Sequence, residues 1–250
     1  MKSFVITIPE KSQSFTGVNP DHEQSLASAK VCIDSFKKFH PKWPISIFDA
    51  VCPPDYQDIM SQYKLRWNYP WLGEELDIAT GLKKRAYETA NPAARISCAL
   101  SHWLLWKRCS EEGIPYIILE HDAVFTQAID NNKIDLVNYD IIGINDPRGA
   151  TRKSGIYFDK IQVSSRNRPT EGYVIPVPII DKWDVPQGLA GNSAYIMTQA
   201  GANTMLNLVD QYGLWPNDSL MCRQLVGISK IGVTTTHYTQ VQRTKSTTTL

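Results

Sequence analysis

Glu120 and Asp122 stand two residues apart in the stretch PYIILEHDAVF, residues 115–125, directly after the apolar run Tyr116–Leu119. Buried charge is costly unless it is paired or bound to a metal. In an extended segment residues i and i+2 point to the same side, so both carboxylates can reach one hard cation. Mg²⁺ or Mn²⁺ held this way keeps coordination positions open for substrate phosphates. His121 points elsewhere and is expected as a hydrogen-bonded or exposed histidine. The competing reading is that a buried strand meets solvent here and binds nothing.

A sheet has to position this pair. Ser3–Ile8 is β-branched, apolar and stopped by Pro9, as expected of a first buried strand. A helix follows over His22–Phe39, with Asp21 as its cap and Leu26, Ala29, Ile33 and Phe36 on one face. Pro44–Phe48 is a second short strand ending at Asp49, and the connection has the length of a parallel crossover. Pro53–Asn91 reads as short helices and loops. Ala94–Ser110 is apolar around most of its circumference, as in a helix packed under a sheet, and Gly113 ends it. Strands are expected at Tyr139–Ile144, Gly191–Met197 and Ile228–Thr236, and helices at Thr198–Tyr212 and Asn217–Val226. Asp146–Asp184 is rich in Pro, Gly and Ser and reads as a long functional loop. The C-terminal TKSTTTL reads as a frayed tail. Strands alternating with helices predict an α/β sheet with several parallel strands. Ligands of such sheets bind at the carboxyl ends of the strands, where Asp49, Glu120 and Asp122 all lie.

The bulk properties are those of a globular chain: 250 residues, 42% hydrophobic, 20% charged. A net charge of +1 points to no polyionic partner by itself. The five cysteines are widely spaced with no CxxC pair, which argues against a disulfide framework or a zinc ribbon. A reducing, cytoplasmic setting (host cytoplasm for a viral protein) is expected. The N-terminus lacks a signal-peptide apolar run, and no segment is apolar enough to span a membrane.

Four stretches in order resemble glycosyltransferase family 25, the group that includes lipooligosaccharide and collagen galactosyltransferases. They are FDAV at Phe48–Val51, ISCALSHWLLW at Ile96–Trp106, YIILEHDAVF at Tyr116–Phe125 and GNSAYIMTQAGANTML at Gly191–Leu206. The resemblance covers about two-thirds of the chain, from Ser3 to about Val226, and departs from the family at His121, where an acid is usual, and at PEKSQS, where arginines often follow the first strand. It implies a GT-A (Rossmann-like) fold: one domain with a mixed, mostly parallel sheet flanked by helices. Residues 1–125 would form the nucleotide-sugar half, and 126–250 the acceptor half with the long loop 146–184.

On the same resemblance the donor is a nucleotide sugar, usually UDP-linked, and Glu120 and Asp122 hold Mn²⁺ or Mg²⁺. His237, in TTTHY, is placed to add a third metal ligand; the alternative is a strand-end histidine. Asp218, in LWPNDSLM, is the candidate general base of an inverting transfer or, alternatively, a first-turn residue of a helix. Asp49 is expected near the nucleoside. Asn192 and Ser193 either bond the sugar or close a turn. Ser101 and His102 either approach the donor or are satisfied polar residues in a packed helix. The aromatic group Trp67, Tyr69 and Trp71 could stack on a sugar, although core packing is the commoner use. Arg148, Arg152 and Lys153 open a basic segment running to Arg168, which points to an anionic acceptor. The default acceptor is a surface glycan such as lipopolysaccharide core. The alternatives are a hydroxylated DNA base, flipped out of its duplex, and a non-catalytic sugar- or nucleotide-binding module.

Overall fold

The computed structural model describes residues 1–10, 22–86, 89–150, 153–167 and 173–242. Asp21, Arg152, Arg168 and the TKSTTTL tail lie outside the described residues.

The central sheet has seven strands: β1 (Lys2–Thr7), β2 (Ile45–Asp49), β5 (Tyr116–Glu120), β7 (Ile141–Gly143), β8 (Val174–Pro176), β9 (Ala194–Met197) and β10 (Ile231–Thr234). Their order is β2-β1-β5-β9-β7-β10-β8. β1 pairs parallel with β2 and β5, and β7 pairs parallel with β10. β9 runs antiparallel between β5 and β7, and β8 runs antiparallel on the far edge. Two small antiparallel pairs stand outside this sheet: β3 (Glu74–Asp77) with β4 (Leu82–Arg85), and β6 (Ala123–Phe125) with β11 (Thr239–Val241).

β5 is the centre of the fold, and all four residues Tyr116–Leu119 are fully buried. Its alternation assigns them to two layers. Tyr116 and Ile118 join a core with Leu100, Trp106 and Met205, while Ile117 and Leu119 join a second core with Ala29, Cys32 and Phe36. The first layer holds α3 (Pro92–Glu112) and α5 (Gln199–Tyr212); the second holds α1 (His22–Phe39). Each such aliphatic side chain contributes about 1.5–3 kcal/mol by leaving water.

α3 is punctuated locally. The Asn91 side chain accepts the Ala94 N–H at 3.0 Å, Pro92 opens the first turn, and Gly113 closes the helix at φ 69°. Two further segments differ from the sequence reading. The stretch 146–184 is not one irregular loop, because it contains the 14-residue helix α4 (Ser154–Asn167). Tyr157 and Ile161, one turn apart, bury its inner face, a two-residue stripe that the Ser and Gly around it obscure. Asn217–Val226 is two short helices, α6 (Asn217–Leu220) and α7 (Arg223–Val226), rather than one. The break falls at Met221–Cys222, where Cys222 bridges to Gly188. Pro53–Asn91 forms α2 (Tyr56–Gln62) and the β3–β4 hairpin. No helix among the described residues is long and apolar enough to cross a membrane.

Candidate functional site at the carboxyl edge of the sheet

β5 delivers Glu120 to the carboxyl edge, and the chain then turns through His121 and Asp122 into β6. The turn is held from three sides. Glu120 N–H donates to the Ser193 carbonyl at 2.8 Å, Gln242 N–H donates to the Asp122 carbonyl at 2.7 Å, and β11 pairs with β6. The C-terminal strand, recognisable as part of no motif, thus clamps the acidic turn.

The two carboxylates oppose each other. Burial raises the Asp122 carboxyl, and the neighbouring Glu120 charge raises it further, to about 7. Burial acts upward most strongly on Glu120, but the His102 and His121 rings and Arg95 together outweigh it, and the Glu120 carboxyl ends below its usual range. Burial lowers His121, partly offset by Glu120. Asp122 Oδ1 is buried with no hydrogen-bond partner. Such an atom costs about 1–3 kcal/mol unless something meets it.

α3 supports Glu120 from below. His102 is 1% exposed, and its Nε2 lies 3.4 Å from Glu120 Oε1, a long contact that leaves Nε2 without a well-formed hydrogen bond. Its Nδ1 lies 2.8 Å from the Tyr195 hydroxyl, which also accepts the Trp106 indole N–H at 2.8 Å. Ser101 faces protein instead: its hydroxyl donates to the Ser97 carbonyl at 2.8 Å and accepts the Val51 N–H at 2.9 Å. One helical turn therefore anchors both FDAV and the acidic turn. Asp49 is exposed at the end of β2, beside Thr7 of β1.

Asn192 and Ser193 lead into β9, and neither side chain finds a partner: both polar atoms of Asn192 and Oγ of Ser193 are buried and unbonded. Gly191 before them adopts φ 70°, and a Cβ there would stand 2.8 Å from Asn145 Nδ2. His237, between β10 and β11, also has a buried Nε2 without a partner. Its surroundings are the Phe158 ring at 5.6 Å and the charges of Asp146 and Arg148. Burial lowers its pKa. Among the described residues, the only three metal-ligating side chains with donor atoms all within 4.8 Å are Cys98, His102 and Glu120. Cys98 lies outside the residues singled out from the sequence; its i, i+4 spacing to His102 is the signal that could have grouped them.

A cavity of about 360 Å³ opens beside this edge, between the β3–β4 hairpin, the loop 180–191 and α6. Its walls include Tyr69, Arg85, Tyr157, Gln187 and Asp218. The N-cap of α6 is Pro216, so Asp218 sits in the first turn and lines the cavity. Gly188 makes this possible, because a Cβ there would lie 2.4 Å from the Asp218 carbonyl oxygen. Asp218 belongs to the same electrostatic neighbourhood as the acidic pair, since burial first, and then the charges of Glu120, Asp218 and Asp122, push the Cys98 thiol up to about 12. Gln187 organises the loop by accepting the N–H groups of Ile180 and Asp181 at 2.9 and 3.2 Å and donating to the carbonyls of Lys182 and Val185. Trp67 and Trp71 stack on each other, 5.0 Å between ring centroids at 10°.

Two of the described basic residues of the acceptor segment, Arg148 and Lys153, are paired with carboxylates. Arg148 forms a fork on the Asp146 carboxylate, with its shorter bond at 2.6 Å, and lies over the Phe158 ring. Lys153 pairs with Asp181 at 2.8 Å.

Among solved structures, the chain is similar to a mutant of the galactosyltransferase LgtC (12% identity, covering 94% of this chain and 72% of that one, TM-score 0.42). It is also similar to LgtC in complex with donor and acceptor sugar analogs (12%, 93% and 73%, 0.41) and to the apo form of mouse xyloside xylosyltransferase 1 (11%, 93% and 84%, 0.42). Likeness at these scores assigns no residue a role. No curated protein matches the chain. The model of glycosyltransferase family 25, described as an LPS biosynthesis protein, matches residues 22–221. That span takes in α1, the ALSH helix α3, the acidic turn, β9 and α6, and on it the chain belongs to glycosyltransferase family 25.

Proposed function

We propose that this glycosyltransferase moves a sugar from a UDP-linked donor to a hydroxyl of a surface glycan such as lipopolysaccharide core, with inversion. The observation that carries the reading is the set of buried, unpartnered polar atoms at one edge of the sheet: Asp122 Oδ1, the Asn192 amide, Ser193 Oγ and His237 Nε2. A polar ligand would supply their missing partners.

The residues fit a divalent cation. Asp122 and Glu120 are two hard oxygen donors whose mutual repulsion a dication would relieve. Glu120 and Asp122 would hold Mn²⁺ or Mg²⁺, and His237 would join through adjustment of the segment between β10 and β11. The cation supplies charge neutralisation for the departing nucleoside diphosphate. Asn192 and Ser193 would bond the sugar, and Asp49 the nucleoside. The 360 Å³ cavity is large enough for an acceptor sugar. Asp218 would take the acceptor proton as the new bond to the anomeric carbon forms and the bond to the diphosphate breaks. The Asp146 and Asp181 pairs satisfy Arg148 and Lys153, which leaves less free positive charge for a DNA backbone and favours the glycan reading over the DNA one.

The test is UDP-sugar hydrolysis and transfer with and without Mn²⁺. Wild type turns over only with the cation, and Glu120→Ala and Asp122→Ala proteins lose activity by at least about 10²-fold, the scale of removing one transition-state charge stabiliser. Full activity in both variants would remove the metal assignment.

A further inference from the structure

We propose that Cys98, His102 and Glu120 form a second cation site, selective for a thiophilic ion of the zinc class, which shares Glu120 with the oxygen-ligated Glu120–Asp122 site and differs from it in its sulfur and imidazole donors. Cys98 Sγ, a His102 ring nitrogen and a Glu120 carboxylate oxygen all lie within 4.8 Å of one another. Zinc bonds to these three donor types measure about 2.0–2.3 Å, so side-chain rotation brings them onto one ion. Three protein ligands leave the fourth tetrahedral position open.

The scaffold suits the site. Cys98 and His102 are i and i+4 on α3 and project from one face of a capped helix. Glu120 ends the most buried strand of the sheet. Nε2 of His102 is buried, lacks a well-formed hydrogen bond and faces Glu120. The other ring nitrogen already has its outer partner. With the proton on Nδ1, the ring donates to the Tyr195 hydroxyl oxygen at 2.8 Å, and the same oxygen accepts the Trp106 indole. In that tautomer Nε2 is free to bind metal, and the outer partner orients the ring. Mn²⁺ and Mg²⁺ prefer oxygen ligands, whereas a thiolate with an imidazole selects zinc. Binding forms the Sγ–metal bond and releases the thiol proton to water.

The test uses Co²⁺ alone as a spectroscopic probe, added to the full-length, metal-free protein. One equivalent should produce the near-ultraviolet thiolate-to-cobalt band, and Zn²⁺ should displace it. Cys98→Ser should abolish the band while circular dichroism stays that of wild type. Tyr195→Phe should weaken cobalt binding by about 10- to 100-fold, the scale of losing an outer partner. If Cys98→Ser does not fold, wild type still answers: Zn²⁺ should slow alkylation of Cys98, mapped by mass spectrometry. Cobalt bound without a thiolate band, a band that survives in folded Cys98→Ser, or Cys98 alkylation indifferent to zinc would each overturn the proposal. Failure here is separable from failure of the proposed transfer, since Mn²⁺-dependent turnover can persist without the band and the band without turnover.

Discussion

The two flanks of the candidate site are built in opposite ways. On the β5 flank, regular elements carry or directly flank the site: α3 presents His102, β5 ends in Glu120, and Asp122 and Ser193 sit in the turns beside β5 and β9. Asp122 Oδ1, the Asn192 amide and Ser193 Oγ there are left without partners. On the cavity flank, loops and a four-residue helix carry Asp218, Gln187 and Lys153, and Arg148 and Lys153 are paired within the protein. Rigid elements can hold polar atoms at the ready, because the packing of Ile117, Ile118 and Leu119 offsets their cost. A loop has little packing to spend, so internal hydrogen bonds and ion pairs give it shape.

Four measurements probe this contrast. The largest effect is expected on the cavity flank: Asp218→Asn should lower the transfer rate by about 10²–10⁴-fold, the range for a general base, with the fold unchanged. An unaltered rate would place the base elsewhere. Next, Gly188→Ala should force α6 away, because the new methyl would meet the Asp218 carbonyl oxygen at 2.4 Å and that of Met221 at 2.8 Å. A stability loss of about 1–3 kcal/mol in urea, together with slower transfer, is the expected outcome.

The third concerns the β5 flank and pH. Asp122 rises from 3.8 to about 7 on folding, so between those values the folded chain binds more protons than the unfolded one. Stability of the metal-free protein from this group is therefore full below the unfolded value and falls as pH rises toward 7. Glu120 is shifted the other way, and its contribution is complete above its unfolded value, so it does not oppose the trend near neutrality. Asp122→Asn should raise the metal-free Tm at neutral pH by a few degrees, at about 2–4 °C per kcal/mol for a chain of this size. A Tm that does not rise would mean that the two carboxylates do not repel. The smallest effect is expected for Lys153→Ala, which breaks a surface pair worth about 0.2–1 kcal/mol. Salt-sensitive DNA affinity in wild type that disappears in this variant would instead revive the DNA reading.

The β5 flank was legible in the sequence because periodicity and local signals survive there. An apolar run, a strand end, a Gly113 stop and an ALSH helix each report on their own neighbourhood. The cavity flank was hidden for the same reason in reverse. α4 buries only Tyr157 and Ile161 and reads as loop, and α6 and α7 read as one helix because only the Gly188–Cys222 bridge separates them. β6 and β11 pair across more than a hundred residues in three-residue strands, too short to show alternation.

The strands β1, β2, β5, β7, β9 and β10, the helices α1, α3 and α5, the buried run Tyr116–Leu119, the acidic turn after it and the family follow from the sequence alone, since they rest on local periodicity and contiguous motifs. Tertiary structure alone decided which side chains meet. It turned Ser101 to Val51 and His102 to Glu120, paired Arg148 with Asp146, and clamped the acidic turn with Gln242. Those contacts join residues far apart in the chain, and their geometry is set by how layers pack, which no local pattern encodes.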